Sequence, residues 1–157
     1  LKVEFVPAGE TAVGDMCRRG LRACDVLELG RCGCADPYLA LHLSVDASEV
    51  ALAAYTPQGV ACLLGVAKPS LLAPTATIWL LAHDDIERHA VRFLKECRRV
   101  LALLLGHYGR LENYIDVDNV KTIAWLEWLG FTVCKERTIL SPMGFPFYHF
   151  WKEAANV

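Results

Sequence analysis

Apolar and polar positions change their period along the chain, and each change marks an element. Between Val50 and Ala82 the residues are almost all apolar, and Lys68 is the only charge. Pro57-Gln58-Gly59, Pro69 and Pro74 cut this run into pieces of strand length. It therefore predicts buried strands over 48–55, 60–67 and 75–82, and not the ~20 unbroken apolar residues of a membrane span. Next comes a helical period: Ala90, Phe93, Leu94, Cys97, Val100, Leu101, Leu104 and Leu105 share one face of a helix predicted over 85–106. Strands are expected at 110–117, 131–138 and 147–151, around a helix capped by Asp118 or Asn119 and ended by Gly130. A Pro/Gly-containing loop fills 141–146. On the N-terminal side, alternation predicts a strand over 2–6 and helical patterns predict 11–19, 26–29 and 38–45. Asp36-Pro37 caps the last of these.

The order is strand, helices, three strands, helix, strand, helix, two strands. It predicts one α/β domain over 1–157 with a central sheet, without repeat or linker. The composition agrees: 54% hydrophobic and 22% charged residues exclude a disordered chain. Sixteen basic against eighteen acidic side chains leave a net charge of −2, so there is no basic excess for nucleic acid. Seven cysteines, an odd number at irregular spacing, read as reduced cytosolic thiols, mostly small core residues. A cytoplasmic location follows from that reading.

Several chemistries lack their residues. Cys24, Cys32, Cys34 and His42 have no second close pair for a structural zinc, so no metal is expected. Neither a Gly-x-Ser-x-Gly elbow nor a Gly-x4-Gly-Lys-Ser/Thr loop is present. The aromatic set Trp125, Trp128, Phe131, Phe145, Phe147, Tyr148, Phe150 and Trp151 reads as packing between the last helix and the sheet, or as a protein-binding patch where exposed.

The segment from Leu111 to Phe131 carries a resemblance. Its strand, Asn119, helix and Gly130-Phe131, with eleven residues from Asn119 to Gly130, resemble the Gcn5-related N-acetyltransferase (GNAT) superfamily. More narrowly the chain is similar to the internal-virion-protein A branch of phages and prophages. The features are Leu21-Arg22-x-x-Asp25, Arg110-Leu-Glu-Asn-Tyr, Trp125-Leu126-x-Trp128-Leu129-Gly130-Phe131 and Gly144-Phe145-Pro146-Phe147.

The resemblance implies a mixed, mostly antiparallel sheet splayed between its fourth and fifth strands. It implies acetyl-CoA as cofactor, with the pantetheine beside Leu80, Leu81 and Ala82 and the pyrophosphate on the helix after His83. Arg88, Arg92 and Asn119 belong to that expected site, and Lys95 and Arg99 continue a basic stripe. The chain departs from the family at two places. His83-Asp84-Asp85-Ile86-Glu87-Arg88 has three carboxylates and no glycine where the family's loop is glycine-rich, and Leu126 stands where many members have an acidic Tyr. Tyr114 and Asp116, on one face of the fifth strand, are the candidate catalytic residues, with Tyr148 or His149 as further candidates. Two functions stay open. One is an N-acyltransferase moving acetyl from acyl-CoA to an amine. The other is a catalytically inactive GNAT-fold phage protein that acts in the virion or binds a phage or host protein.

Overall fold

The computed structural model describes residues 3–70, 72, 73 and 75–155; the expected strand start at Lys2 and break at Pro74 lie outside them. The strands are β1 (Glu4–Pro7), β2 (Val50–Thr56), β3 (Gly59–Ala67), β4 (Ala76–Ala82), β5 (Arg110–Asp116), β6 (Thr132–Leu140) and β7 (Pro146–Glu153). The helices are α1 (Glu10–Arg19), α2 (Ala23–Arg31), α3 (Pro37–Asp46), α4 (Asp85–Arg88), α5 (Ala90–Tyr108) and α6 (Val120–Trp128). One sheet runs in the order β1-β2-β3-β4-β5-β7-β6.

The apolar run of the sequence forms the middle of this sheet. Residues 60–66 of β3 are all buried, because both faces of that strand are covered. On one face, Ala12, Val13 and Met16 of α1 and Leu41 of α3 pack on Ala53, Val60, Leu63 and Leu81. On the other, Leu101, Leu104 and Leu105 of α5 and Ile123 of α6 pack on Leu64, Ile78, Leu111 and Phe150. At β3, Gly65 is required by packing: a Cβ there would lie 2.5 Å from the Trp79 ring, which covers it. The Trp79 indole N–H is held by Ser48 Oγ at 2.8 Å.

Every strand pair is antiparallel except β4–β5. That parallel pair is joined only at Ala76↔Leu111 and Thr77↔Glu112. Just beyond, Asn113 Nδ2 donates to the Ile78 carbonyl at 2.7 Å, and then the strands part. The expected mixed, mostly antiparallel sheet splayed between its fourth and fifth strands is thus present.

Two helices differ from expectation. The helix expected over 85–106 is two pieces, α4 and α5, parted at His89, whose φ of −114° and ψ of 16° leave the helical region. The stretch expected over 26–29 is the longer α2, with Arg22 at its N-cap. Its buried side is polar, and this masked its period. The cysteines also differ: Cys62 and Cys97 are buried, Cys32 is exposed, and the other four are half-buried. Of the aromatic set, Phe131, Phe147 and Phe150 are in the core, whereas Trp128 and Phe145 are exposed. Among the described residues no helix is long and apolar enough to cross a membrane.

Candidate functional site

Where β4 and β5 part, a cavity of about 590 Å³ passes between them. Its walls come from both sides of the sheet. α2 supplies Asp25, Glu28 and Leu29, with Cys32 at its C-cap; α5 and α6 supply Phe93, Leu101, Thr122, Trp125 and Leu126; Leu80 and Tyr114 flank the gap. Spacing explains the α2 wall: Asp25, Glu28, Leu29 and Cys32 stand at i, i+3, i+4 and i+7, one helical face.

Glu28 is the residue that sequence reasoning missed. Its Oε2 accepts from Asn119 Nδ2 at 3.1 Å and from the Asp116 N–H at 3.3 Å. Burial pushes its carboxyl up to about 7; those two hydrogen bonds oppose the rise, and nearby Asp25 and Asp116 add to it. A carboxyl poised near neutrality in a cavity can take a proton from an amine. The signal in the sequence was faint: two acids three apart on the side of a short helix that otherwise faces the core.

Asn119 holds two positions together. Its Oδ1 caps α6 by accepting from the Thr122 N–H at 3.4 Å, while its Nδ2 holds Glu28. Asp116 is buried, and its carboxylate is already engaged: Arg31 Nη1 donates to both its oxygens at 2.8–2.9 Å, and the Asp118 N–H donates to Oδ1 at 2.9 Å. It ties α2 to β5. Tyr114 is 46% exposed on the cavity wall, 5.1 Å from the ring of His149. His149 Nε2 lies 3.1 Å from Glu112 and its ring stacks on Trp151, so it belongs to a surface cluster with Arg110. Tyr148 packs against the core. Leu126, at the place of the family's Tyr, lines the cavity with carbon alone.

The expected cofactor residues are arranged unevenly. Asp25 Oδ2 accepts from the Ala82 N–H at 2.8 Å, and the Arg22 N–H donates to the Ala82 carbonyl at 2.7 Å. Both main-chain groups of Ala82 on the gap side are therefore in use. By the alternation of an antiparallel ladder, Leu80 turns its N–H and C=O to the same gap. Leu81 lies on the opposite face, with α1 and α3. In the next loop four N–H groups are already engaged: His83 N–H with Ala61 O of β3, Asp85 N–H with His83 Nδ1, Ile86 N–H with His83 O and Glu87 N–H with Asp84 O. Asp85 is buried against Arg19, and exposed Arg88 lies 3.6 Å from it. Arg92 is exposed on α5.

The zinc candidates do not assemble. His42 faces Cys17 at 4.0 Å, Cys34 bonds Asp36 O, and Cys24 lies against Asp25.

No protein-family model matches the sequence, and no curated protein matches it. Solved structures do match over nearly the whole chain. The aminoglycoside N(6')acetyltransferase from Legionella pneumophila superposes with a TM-score of 0.71 at 11% identity, covering 96% of this chain and 91% of that one. A spermidine N-acetyltransferase from Vibrio cholerae in complex with CoA and spermine gives 0.66 at 10%, covering 98% and 96%. An acetyltransferase of the GNAT family from Streptococcus pneumoniae gives 0.62 at 11%, covering 98% and 100%. This chain therefore has the fold of these acetyltransferases.

Proposed function

We propose that this domain is an N-acyltransferase that moves an acyl group from a thioester donor to an amine. The observation that carries the reading is Glu28, a carboxyl near neutrality where β4 and β5 part. The amine nitrogen attacks the acyl carbon, its proton passes to Glu28, a C–N bond forms and the C–S bond breaks. The thiolate leaves and takes a proton from Tyr114, the exposed phenol on the same cavity, or from water. Holding amine and thioester together supplies much of the rate.

Acetyl-CoA is the donor that the resemblance implies, and the residues fit part of it. Leu80 and the cavity suit an acylated pantetheine arm. The loop after β4 suits the diphosphate poorly: the N–H groups of His83, Asp85, Ile86 and Glu87 are already bonded, no glycine lets the backbone approach, and Asp84 adds a carboxylate, while Asp85 is paired with Arg19 and Glu87 with Lys121. No step is therefore assigned to CoA beyond delivery of the acyl group.

A second reading draws on the same misfit and on the occupied main-chain groups of Ala82. In it the chain is a catalytically inactive phage or prophage protein on the GNAT fold, acting in the virion or on a protein partner. Thermal-shift titration with acetyl-CoA and CoA, with ATP as the anionic control, separates the two. A native-state ligand at a hundredfold excess over its Kd adds about 2.7 kcal/mol. A shift with acetyl-CoA and none with ATP supports transfer. No shift at millimolar acetyl-CoA turns the assignment to the inactive protein.

A further inference from the structure

Between Arg88 and Arg99 the sequence holds five basic side chains and one acid, in a chain whose net charge is −2. The helical period gathers them. Val91, Arg92, Lys95, Arg98, Arg99 and Leu103 stand at i, i+1, i+4, i+7, i+8 and i+12, one face of α5, and all six are exposed. The opposite face of the same helix, Phe93, Leu94, Cys97 and Leu101, walls the cavity. Arg88, at the end of α4, extends the basic row to the segment that follows β4. Neighbouring acids do not bury this charge. Arg88 lies 3.6 Å from Asp85 and Arg99 lies 2.8 Å from Glu96, yet the two arginine side chains stay 81% and 78% exposed. Arg98 lies 3.7 Å from the centre of the exposed Trp128 ring, which puts an aromatic beside the row. Arginine, tryptophan and the exposed aliphatics Val91 and Leu103 make the mixture that protein interfaces favour.

The partner follows from what the neighbouring segment lacks. A nucleotide-linked thioester brings a diphosphate, and the segment after β4 has no glycine and has its N–H groups at His83, Asp85, Ile86 and Glu87 in use. The cavity still suits the arm. Phosphopantetheine joined to a protein side chain differs from CoA in just this respect. It carries one phosphate and no diphosphate, and the protein surface that bears it replaces the nucleotide as the anchor. The charge on α5 selects an acidic surface. Arm and surface in one molecule make the second contact intramolecular, so each contact alone can be weak.

We propose that the exposed face of α5, from Arg88 to Leu103, docks a small acidic carrier protein that presents the acyl group as a thioester on its phosphopantetheine arm. The donor class rests on the acyl-transfer reading; the docking is a binding event that needs no turnover. The bonds are those already given: C–N forms, C–S breaks, and the thiol stays on the carrier.

The test is calorimetric titration of the intact protein with a bacterial acyl carrier protein, in holo form with its arm and in apo form without it, and with acetyl-CoA. Holo-carrier should bind about tenfold or more tighter than acetyl-CoA and about fivefold or more tighter than apo-carrier. Its affinity should fall at least about fivefold between roughly 50 and 300 mM salt. The double reversal Lys95→Glu, Arg99→Glu should weaken holo-carrier about tenfold or more, while its melting point stays within about 2 °C of wild type, because both positions are exposed. Lys135→Glu, on β6 and off this face, should change the affinity less than about twofold. No binding of holo-carrier, equal binding of holo and apo forms, tighter binding of acetyl-CoA, or equal loss from the reversal and from Lys135→Glu overturns the proposal. Acetyl-CoA binding tighter than holo-carrier leaves the transfer reading standing. Holo-carrier binding as expected without any transfer to an amine removes that reading and leaves the docking face, so the two failures are distinguishable.

Discussion

Protonation of Glu28 is coupled to folding. Its native carboxyl titrates near 7, raised by burial from the usual 4.5. Between those values the native state holds a proton that the unfolded chain has lost. Its contribution is complete below about pH 4.5 and is lost as pH rises through about 7. Glu28→Gln keeps the acceptor oxygen and never ionises. It should be more stable than wild type at pH 8, by on the order of 2 kcal/mol allowing for its partial exposure, with the gap closing below pH 5. Denaturant melts across pH measure this. The same variant should lose transfer, and the wild-type rate should rise with pH to a plateau above about 7. Asn119→Ala should cost about 1–2 kcal/mol through the lost cap. It also removes a hydrogen bond that holds the Glu28 carboxyl down, so the rising limb of the pH profile should move to higher pH. Gly65→Ala drives a Cβ to 2.5 Å from the Trp79 ring; it should cost about 1–3 kcal/mol and break the bond to Ser48.

At the scale of elements, α2 is held to β5 by Arg31 on Asp116, and its first turn is held to the end of β4 through Asp25, which is also half of a desolvated ion pair. Arg22 and Asp25 are nearly sealed from solvent, and Asp25 also accepts from Ala82. Asp25→Ala strands a buried guanidinium and should lower stability by about 3–5 kcal/mol in denaturant melts. Lys135→Ala, which breaks the exposed pair with Glu127, should cost less than about 1 kcal/mol. The same helix shows what the sequence could reveal. The strands were legible from alternation, turn residues and unbroken apolar runs, and α5 from its 3.6 period. α2 was read short because its inward face carries Asp25 and Glu28, which a hydrophobic pattern scores as outward. The break at His89 was hidden because the apolar spacing of 90–105 accounts for α5 alone and says nothing of 85–88. The Asn119–Gly130 unit pointed to the gap between β4 and β5, where the cavity lies. Glu28 did not, because its partner Asn119 is 91 residues away and no local motif joins them.

At the scale of the molecule, the sheet is two blocks joined by a short seam. β1–β4 form one and β5, β7 and β6 the other, with two paired positions between them against six or seven in the neighbouring pairs. The apolar layer under α5 and α6 spans both blocks. Native-state hydrogen exchange should therefore find β5, β7 and β6 opening together at lower free energy than β2–β4. If all seven strands exchange at one free energy, the seam is not a mechanical boundary. Asn113→Ala removes the side-chain bridge to Ile78 and should lower the opening energy of the second block by about 1 kcal/mol more than that of the first.

The cavity is flanked by indoles on both sides of the sheet. Trp79 lies on the α1–α3 face, pinned over Gly65, and Trp125 lies on the α6 face beside Arg22. Both border the cavity, while Trp128 sits outside beneath Arg98 and Trp151 stacks on His149. The protein thus carries its own optical gauge. Light emitted by two of its four tryptophans should change colour when the cavity fills, and the other two supply a reference inside the same molecule.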